Sequence, residues 1–406
     1  MVDNTSASSF ENPCDLVRKT CRAWMKDEGL VVMDDGDDLQ KDSQTGRRSV
    51  RIRIDKLLEL ADEIAMEAET TKSTKLLEKG RPDSTTEENA SWIQWDEEGW
   101  HYNGEGFEGT ETEKRERVAL YLLALDAINF CFWPLPGSYG KTTSTENTAS
   151  STNQLEYDHL AMAMKKMAEA DHGRNNVGYV FSPENLASLN DSKMTSLFES
   201  YLDPLKYPLP DIRKRSMLWK ELGEVLLADF HGSASALLDA SDKNASKLVE
   251  LVASSFPGFR DQVHISSSAS QQQQRIVFLK RAQIFVGDAN AALRLNLGGM
   301  DKLTTFADYR VPQILRHKGV LEYSSNLALR VNQERELEKG SFDEISIRAS
   351  TVVAVEELVK FLNQSPKTTQ KSFTDVTVDW YLWQVGERMH QEGMMKPFHR
   401  VRTHFY

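Results

Sequence analysis

The chain has 406 residues and a formal net charge of −12, from 61 Asp and Glu against 49 Lys and Arg. Hydrophobic residues make up 40% and charged residues 27%, which is typical of a globular protein with one large domain or two smaller ones. This composition excludes a collagen-like, broadly disordered or disulfide-rich protein. The excess of acidic residues also argues against a protein that binds long nucleic acid through the electrostatic field of its whole surface. A few local cations could still bind a small anion.

Cysteine and targeting signals are sparse. Cys14, Cys21 and Cys131 form no CxxC pair and no Cys/His cluster with zinc spacing, which favours free thiols in a reducing compartment. Residues 1–16 lack the basic and apolar regions of a secretory signal. No apolar run approaches the ~20 residues of a membrane span. We therefore expect a cytoplasmic or nuclear protein with no membrane partner.

The N-terminal part of the chain is predicted to be helical around a polar stretch. Residues 1–48 are interpreted as an extension with one helix at Leu16–Glu28 and an acidic turn at Asp34–Asp38. The first clear amphipathic helix is Ile54–Met66, whose apolar residues recur at i, i+3 and i+4.

Helical periodicity continues through the rest of the chain. Val118–Phe130 is apolar on nearly all sides, which predicts a central buried helix that Pro134 and Pro136 end. Further helices are predicted at residues 155–170, 211–230, 275–293, 314–319, 327–337, 351–363 and 376–388, and short strands at 345–348 and 401–406.

Three polar segments interrupt this pattern and are predicted to be partly disordered insertions, at residues 68–115, 137–153 and 265–275. The first contains tryptophans that could anchor it. No repeat of 20–50 residues is present, so a solenoid is excluded. The sequence therefore predicts a mostly α protein with a single large helical domain at 49–406 and a few short strands.

Four aspartates occur in apolar or aromatic sequence: Asp126 in LALDAINFCFW, Asp288 in AQIFVGDANAAL, Asp308 in TTFADYRVPQIL and Asp379 in VTVDWYLW. Burying an unpaired carboxylate costs several kcal/mol, so each needs a partner, a helix to cap, or a functional site. One such residue alone indicates a structural role. Four in one mostly helical chain favour a shared acidic pocket.

Asp308 has the most informative setting. Pro312 suits the first turn of a helix, so residues 306–310 should be the loop that leads into it. An ionised carboxylate at the positive end of that helix, flanked by Phe306 and Tyr309, suits a cationic transition state such as the oxocarbenium ion of glycosidic cleavage. The alternative is that Asp308 only caps the helix.

Other residues could bind a base or a phosphate. Asn129 could read a base edge or satisfy the end of its helix, and Lys280 and Arg281 are candidate phosphate ligands or a solvated basic edge. The basic tail offers further cations at His399, Arg400, Arg402 and His404. Aromatic residues that could stack a base or form core are Phe130, Phe132, Trp133, Trp380, Tyr381 and Trp383. No GxGxxG, P-loop, HExxH or GxSxG motif supports nucleotide-triphosphate, zinc-protease or serine-hydrolase chemistry.

Eight segments occur in order along the chain, within the region from about residue 48 to the C-terminus. They are LDAINFCFW (125–133), ADFHGSASALL (228–238), SFPGFRD (255–261), LKRAQIFVGDA (279–289), FADYRVPQILRHKGVLEYS (306–324), EISIRAS (344–350), DWYLW (379–383) and PFHRVRTHFY (397–406). The combination of FADYRVPQ with the distal DWYLW and FHRVR is specific. As a set, the segments resemble the queuosine salvage proteins, which are queuosine 5′-phosphate N-glycosylases/hydrolases.

The resemblance implies a largely α fold similar to helix-hairpin-helix DNA glycosylases. It also implies cleavage of queuosine 5′-phosphate to queuine and ribose 5-phosphate without a metal or redox cofactor. Asp308 matches the nucleophile or transition-state stabiliser of the family. Asp379 and Trp383 match base-contacting positions, and His101 matches a substrate-binding histidine. Gln384 stands where members often carry a second aspartate.

Such a substrate suits the residues found. Queuine is a 7-deazaguanine, so it has no N7 to protonate and stabilisation of the ribosyl cation becomes the larger task. The amine and the diol of queuine should bind acidic side chains, and the phosphate should bind a basic side chain. Asp288, Asp126 and Tyr309 complete the predicted set of substrate-binding residues. Two alternatives remain open: a non-catalytic helical protein that binds queuine or a tRNA fragment, and a DNA or RNA glycosylase. The net charge disfavours the latter, and no stable nucleic-acid partner is expected.

Overall fold

The computed structural model describes residues 12–28, 32–33, 49–78, 92–134, 155–171, 178–266, 273–369 and 372–406. These residues form 14 α-helices and a few short strands. The predicted mostly α, single-domain architecture is therefore confirmed. The similarity to helix-hairpin-helix DNA glycosylases and the domain boundary at residue 49 stay predictions.

The helices are numbered in chain order. They are α1 (Pro13–Asp27), α2 (Ile54–Glu78), α3 (Glu111–Ile128), α4 (Tyr157–Ala170), α5 (Pro183–Ala187), α6 (Asp191–Glu199), α7 (Ile212–Asp229), α8 (Ala234–Asp239), α9 (Ala245–Ser255), α10 (Lys280–Leu293), α11 (Arg310–His317), α12 (Ser325–Asn332), α13 (Phe342–Gln364) and α14 (Asp375–Gln391). The strands are β1 (Val32–Met33), β2 (Val50–Arg53), β3 (Gln262–Ser266), β4 (Gln273–Val277) and β5 (Leu321–Tyr323).

Helix α3 lies at the centre of the core. Every residue from Arg117 to Ile128 is buried, as its apolar sequence predicts. Thr110 and Glu113 form a capping box that satisfies the backbone donors at its start. Because all sides of α3 are apolar, it packs against α4, α7, α8 and α10 at once.

A second layer positions the loop before α11. Helix α13 packs against α1, α2 and α14, and α11 packs against α14. The α11–α14 contact matters for the site, because Asp308 directly precedes one helix and Asp379 lies on the other. Two residues distant in sequence are thereby held side by side.

The small sheets correct two predictions. β2 pairs parallel with β1 and antiparallel with β5, and β3 with β4 forms an antiparallel hairpin. The helix predicted from Arg275 begins only at Lys280, because 273–277 form β4. The strand predicted at Ile345–Arg348 is wrong: these residues lie inside α13, where the Ser341 side chain caps the helix and overrides the β-branched composition. At 401–406 only Val401 forms a bridge, with Leu337.

The predicted insertions are described in part. Residues 68–78 continue α2 instead of opening a loop. Trp92 packs against Phe373 and Tyr381, so the segment that follows is anchored on the core. The described part of 265–275 belongs to the β3–β4 hairpin, while 34–38 and 137–153 lie outside the described residues. None of the described helices is long and apolar enough to cross a bilayer.

Candidate active site

A cavity of about 560 Å³, including its open mouth, lies between α10, α14 and the loop before α11. It brings together eight of the ten predicted site residues: His101, Asn129, Lys280, Asp288, Asp308, Tyr309, Asp379 and Trp383. Trp95, Tyr157, Ile284, Phe306 and Trp380 complete the lining.

Asp308 combines the two roles that its sequence suggested. Its Oδ1 accepts hydrogen bonds from the backbone N–H of Arg310 at 2.7 Å and of Val311 at 3.1 Å, so it caps α11. The residue is 7% exposed and lines the cavity. Its Oδ2 accepts no hydrogen bond from the described residues. One oxygen thus fixes the carboxylate at the positive end of a helix, and the other is left for a ligand.

Asp379 is held by the same loop as Asp308. Its Oδ1 accepts a 2.7 Å hydrogen bond from the Phe306 N–H and another from the Thr305 hydroxyl. Burial raises the pKa of Asp379 to about 7, with the nearby Asp308 adding to this and the Thr305 hydrogen bond and the charge of Lys280 opposing it. The carboxyl can therefore be neutral or charged near neutral pH.

Helix α10 supplies one polar stripe of the cavity wall. Lys280, Ile284 and Asp288 follow each other at a spacing of four residues and so share a face. Lys280 is 2% exposed, and its Nζ forms no ion pair or hydrogen bond with any described residue. Burial lowers its pKa, while Asp308 and Asp379 oppose that shift. The cavity thus contains an ammonium group without a fixed partner.

The third carboxylate of the cavity, Asp288, is bound by the segment that precedes α3. Its Oδ1 accepts a 2.8 Å hydrogen bond from Trp95 Nε1. Burial raises the pKa of Asp288 to about 6, and the charge of His101 and the Trp95 hydrogen bond oppose the shift. Trp95 also stacks on His101, with ring centroids 4.7 Å apart.

Two predicted site residues lie outside the cavity. Arg281 donates to the backbone carbonyls of Asp126, Ala127 and Gly258, so its guanidinium binds the end of α3 and cannot hold a phosphate. Successive helical residues point about 100° apart, which is why Lys280 reaches the cavity and Arg281 reaches the core.

Asp126 is fully buried, and its carboxylate oxygens have no hydrogen-bond partner among the described residues. Burial raises its pKa well above the ordinary value.

The basic tail does not reach the cavity either. Arg400 pairs with Glu334 at 3.0 Å, and Arg402 pairs with Glu336. His399 is buried, and burial together with Arg348 lowers its pKa to about 3. We therefore withdraw these residues as phosphate ligands, which leaves Lys280 as the cation in the cavity lining.

Comparison with known proteins identifies the family. The family model described as "Queuosine salvage protein" matches residues 110–406. The queuosine 5′-phosphate N-glycosylase/hydrolase of Dictyostelium discoideum is 34% identical over 77% of this chain and 85% of its own length. The chain belongs to the queuosine salvage protein family. Proteins of the same name from Sphaerobacter thermophilus and Bos taurus are 33% and 30% identical, over 73% and 72% of this chain and 83% and 82% of their own lengths.

This queuosine salvage protein builds part of its site from sequence outside the matched region. Trp95 and His101 precede residue 110, yet both line the cavity. The sequence around Trp95 indicates only an anchor and that around Tyr157 indicates no role, since neither residue lies in a recognisable motif. Ile284 could have been found from its spacing between Lys280 and Asp288. No group of three His, Cys, Asp or Glu among the described residues is arranged to hold a metal ion.

Proposed function

We propose that this protein hydrolyses the N-glycosidic bond of queuosine 5′-phosphate, releasing queuine and ribose 5-phosphate. The observation that carries the proposal is the buried Asp308 carboxylate, fixed by two backbone amides with one oxygen left for a ligand. Relatives at 30–34% identity bear this activity in their names.

The reaction places positive charge on the ribose as the bond to the base lengthens. A preorganised carboxylate in a buried site stabilises that charge more than water would, because it needs no reorientation during the reaction. Asp308 acts in this way either as the stabiliser of the oxocarbenium ion or as a nucleophile that water then displaces. In both cases water supplies the new hydroxyl at C1′.

The cavity offers complementary partners for each part of the substrate. Phe306 and Trp380 provide apolar faces for the base. Asp379 and Asp288 suit the N–H groups of the base and the cationic amine of its side arm. Gln384, at the position where family members often carry a second aspartate, instead donates to the Gln94 carbonyl at 2.8 Å. The Lys280 ammonium is the partner for the 5′-phosphate.

The alternative function is carriage of queuine without catalysis. Incubating the purified protein with queuosine 5′-phosphate and identifying products by mass spectrometry separates the two, because a carrier returns the intact nucleotide. We expect Asp308→Asn to slow release at least about 100-fold, as loss of a preorganised electrostatic group does, while queuine still binds. Asp301→Asn is the matched control, since Asp301 is 62% exposed and outside the cavity lining.

The cellular setting is part of the same proposal. Cys14, Cys21 and Cys131 are all free and buried, which suits the reducing cytoplasm or nucleus. The substrate is a small molecule, and we propose no stable nucleic-acid partner. A wild-type protein that bound duplex DNA with a steep salt dependence would contradict this part of the proposal.

A further inference from the structure

Three side chains form a continuous polar chain that ends in the cavity wall. The Tyr157 hydroxyl lies at hydrogen-bond distance, 2.7 Å, from His101 Nε2. His101 Nδ1 lies 3.0 Å from Asp96 Oδ1, which is the distance of an ion pair, although the ring N–H is not aligned for a hydrogen bond. Tyr157 and His101 both line the cavity. The resemblance implies only that His101 binds substrate, and neither Asp96 nor Tyr157 has a role in the proposed function.

The outer end of the chain is held rigidly. Asp96 accepts hydrogen bonds from the backbone N–H groups of Trp100 at 2.9 Å and His101 at 3.0 Å. Burial alone would raise the pKa of Asp96, but its interaction with the His101 ring outweighs burial, so the pKa lies below its ordinary value. An ionised carboxylate facing Nδ1 is the arrangement that stabilises an imidazolium and fixes its orientation.

The chain also has access to solvent. Asp96 and His101 line a second, open groove of about 790 Å³ next to the cavity, on the side of Glu97 and Glu98. His101 and Trp95 are common to both spaces. The groove brings solvent close to the Asp96 end of the chain, whereas the Nε2 end faces Tyr157 and the cavity.

We propose that Asp96, His101 and Tyr157 form a proton relay in which Tyr157 is the proton donor to the departing base. This inference rests on the proposed glycosidase function and names its missing acid. An imidazolium at His101 donates its Nε2–H to the Tyr157 oxygen, which leaves the phenolic hydrogen directed away from His101. Asp96 is a positioning residue, because it acts only through His101.

The proposed reaction conserves every atom, electron pair and proton. The bond between C1′ and the base breaks, its electron pair goes to the base, and the base takes the Tyr157 proton while Tyr157 takes the Nε2 proton of His101. Water adds its hydroxyl to C1′ and gives its proton to Asp308. After the products leave, the vacant Nε2 of His101 regains a proton through the Tyr157 hydroxyl from water in the cavity, and Asp308 releases its proton to water. The sum is queuosine 5′-phosphate and water converted to queuine and ribose 5-phosphate.

A relay is needed because a free phenolate would be unfavourable here. Burial raises the pKa of Tyr157 well above its ordinary value, and Asp288 and Asp126 add to the shift. In a coupled transfer Tyr157 receives a proton as it gives one, so no phenolate forms. Asp379 and Asp288 are not the proposed proton donors. Both already accept hydrogen bonds from protein groups, which suits them to accept further hydrogen bonds from ligand N–H groups.

Two substrates that differ in their leaving group test the proposal. Queuine needs a proton as it departs, whereas the 4-nitrophenolate of 4-nitrophenyl ribofuranoside 5-phosphate departs as a stable anion. We expect Tyr157→Phe to lower kcat for queuosine 5′-phosphate about 100-fold or more, in the range of general acid catalysis, and to change turnover of the nitrophenyl substrate less than about threefold. Asp96→Asn should show the same selectivity with a smaller loss. Asp308→Asn should slow both substrates.

Binding measurements make the result independent of the artificial substrate. The Kd of queuine should change less than about threefold in Tyr157→Phe, because a donor used in the chemical step affects kcat and not ground-state binding. Tyr179→Phe is the matched control, since Tyr179 is also buried, its hydroxyl donates to the Arg117 carbonyl at 3.4 Å, and it is outside the cavity.

The relay and the proposed function would be refuted by different results. Three results for Tyr157→Phe would each overturn the relay and leave the proposed function standing. They are equal losses of activity on both substrates, a weaker Kd for queuine that accounts for the loss, and full activity on queuosine 5′-phosphate. A wild-type protein that leaves queuosine 5′-phosphate intact would instead overturn the proposed function, and the relay with it.

Discussion

Arg310 links the start of α11 to α14 beside the cavity. Its backbone N–H donates to Asp308, while its side chain donates to Glu387 at 2.7 Å from Nε and to Gln313 at 2.6 Å from Nη1. Glu387 lies on α14, two turns beyond Asp379. Arg310 is 0% exposed. Replacing it with methionine keeps the length of the side chain and removes the charge.

The expected cost follows from the burial of the pair. Glu387 is 5% exposed; burial raises its pKa and the charge of Arg310 opposes the shift. Without Arg310, Glu387 becomes a buried carboxylate without its cation. Breaking a buried pair in this way costs about 3–5 kcal/mol, a large part of the 5–15 kcal/mol or so that stabilises a typical protein. We expect Arg310→Met to lower the free energy of unfolding by that amount.

Urea unfolding followed by circular dichroism measures this loss. Adding Glu387→Gln to Arg310→Met should restore part of the stability, because the orphaned charge is removed. Lys367→Met is the surface control: its pair with Asp62 is about half exposed and should contribute less than about 1 kcal/mol. A loss below 1 kcal/mol in Arg310→Met, or a double variant less stable than the single one, would refute the reasoning.

Three further results are expected. Lys280→Met should raise the KM for queuosine 5′-phosphate about tenfold or more, in line with loss of one charged hydrogen bond, and leave the Kd of queuine unchanged; Lys214→Met, outside the cavity, should change neither. Gly386→Ala should cost about 1–3 kcal/mol in urea unfolding despite better helix propensity, because its Cβ would stand 3.2 Å from the Cγ and Cδ of Arg310. The Tm of the ligand-free protein should fall between about pH 4 and 7 more steeply than that of Asp379→Asn. The pKa of Asp379 is raised from 3.8 to about 7, so its contribution to stability is full below about pH 4 and is lost as pH rises to 7.

The sequence predicted the core of the fold because burial leaves a local pattern. Val118–Ile128 is apolar at every position, and only a helix surrounded on all sides satisfies such a run. The strand at 345–348 was predicted wrongly for a related reason: a short run with Ile345 and Ile347 suits a strand or a buried helix equally. The Ser341 cap and the packing of α13 decide between the two.

The site was predictable where a residue carries its own motif and unpredictable where it depends on tertiary contact. Asp308 and Asp379 stand in apolar sequence that makes an unpaired carboxylate conspicuous. Lys280 and Arg281 have nearly identical neighbours in sequence, yet their side chains point to the cavity and to the core. Tyr157 gains its role only from contact with His101, which lies 56 residues away in the chain.

The arrangement of charge in the cavity explains how one site can hold three carboxylates. The pKa values of Asp379 and Asp288 lie at about 7 and 6, so protons offset much of their charge before a ligand binds. A ligand that brings a cationic amine and N–H donors favours their ionised forms, since it supplies the opposite charge and the hydrogen bonds that burial had removed. Asp308 differs because backbone amides already satisfy one of its oxygens. The orientation of its carboxylate is therefore fixed before the substrate binds, which is the property that a group stabilising a transient cation requires.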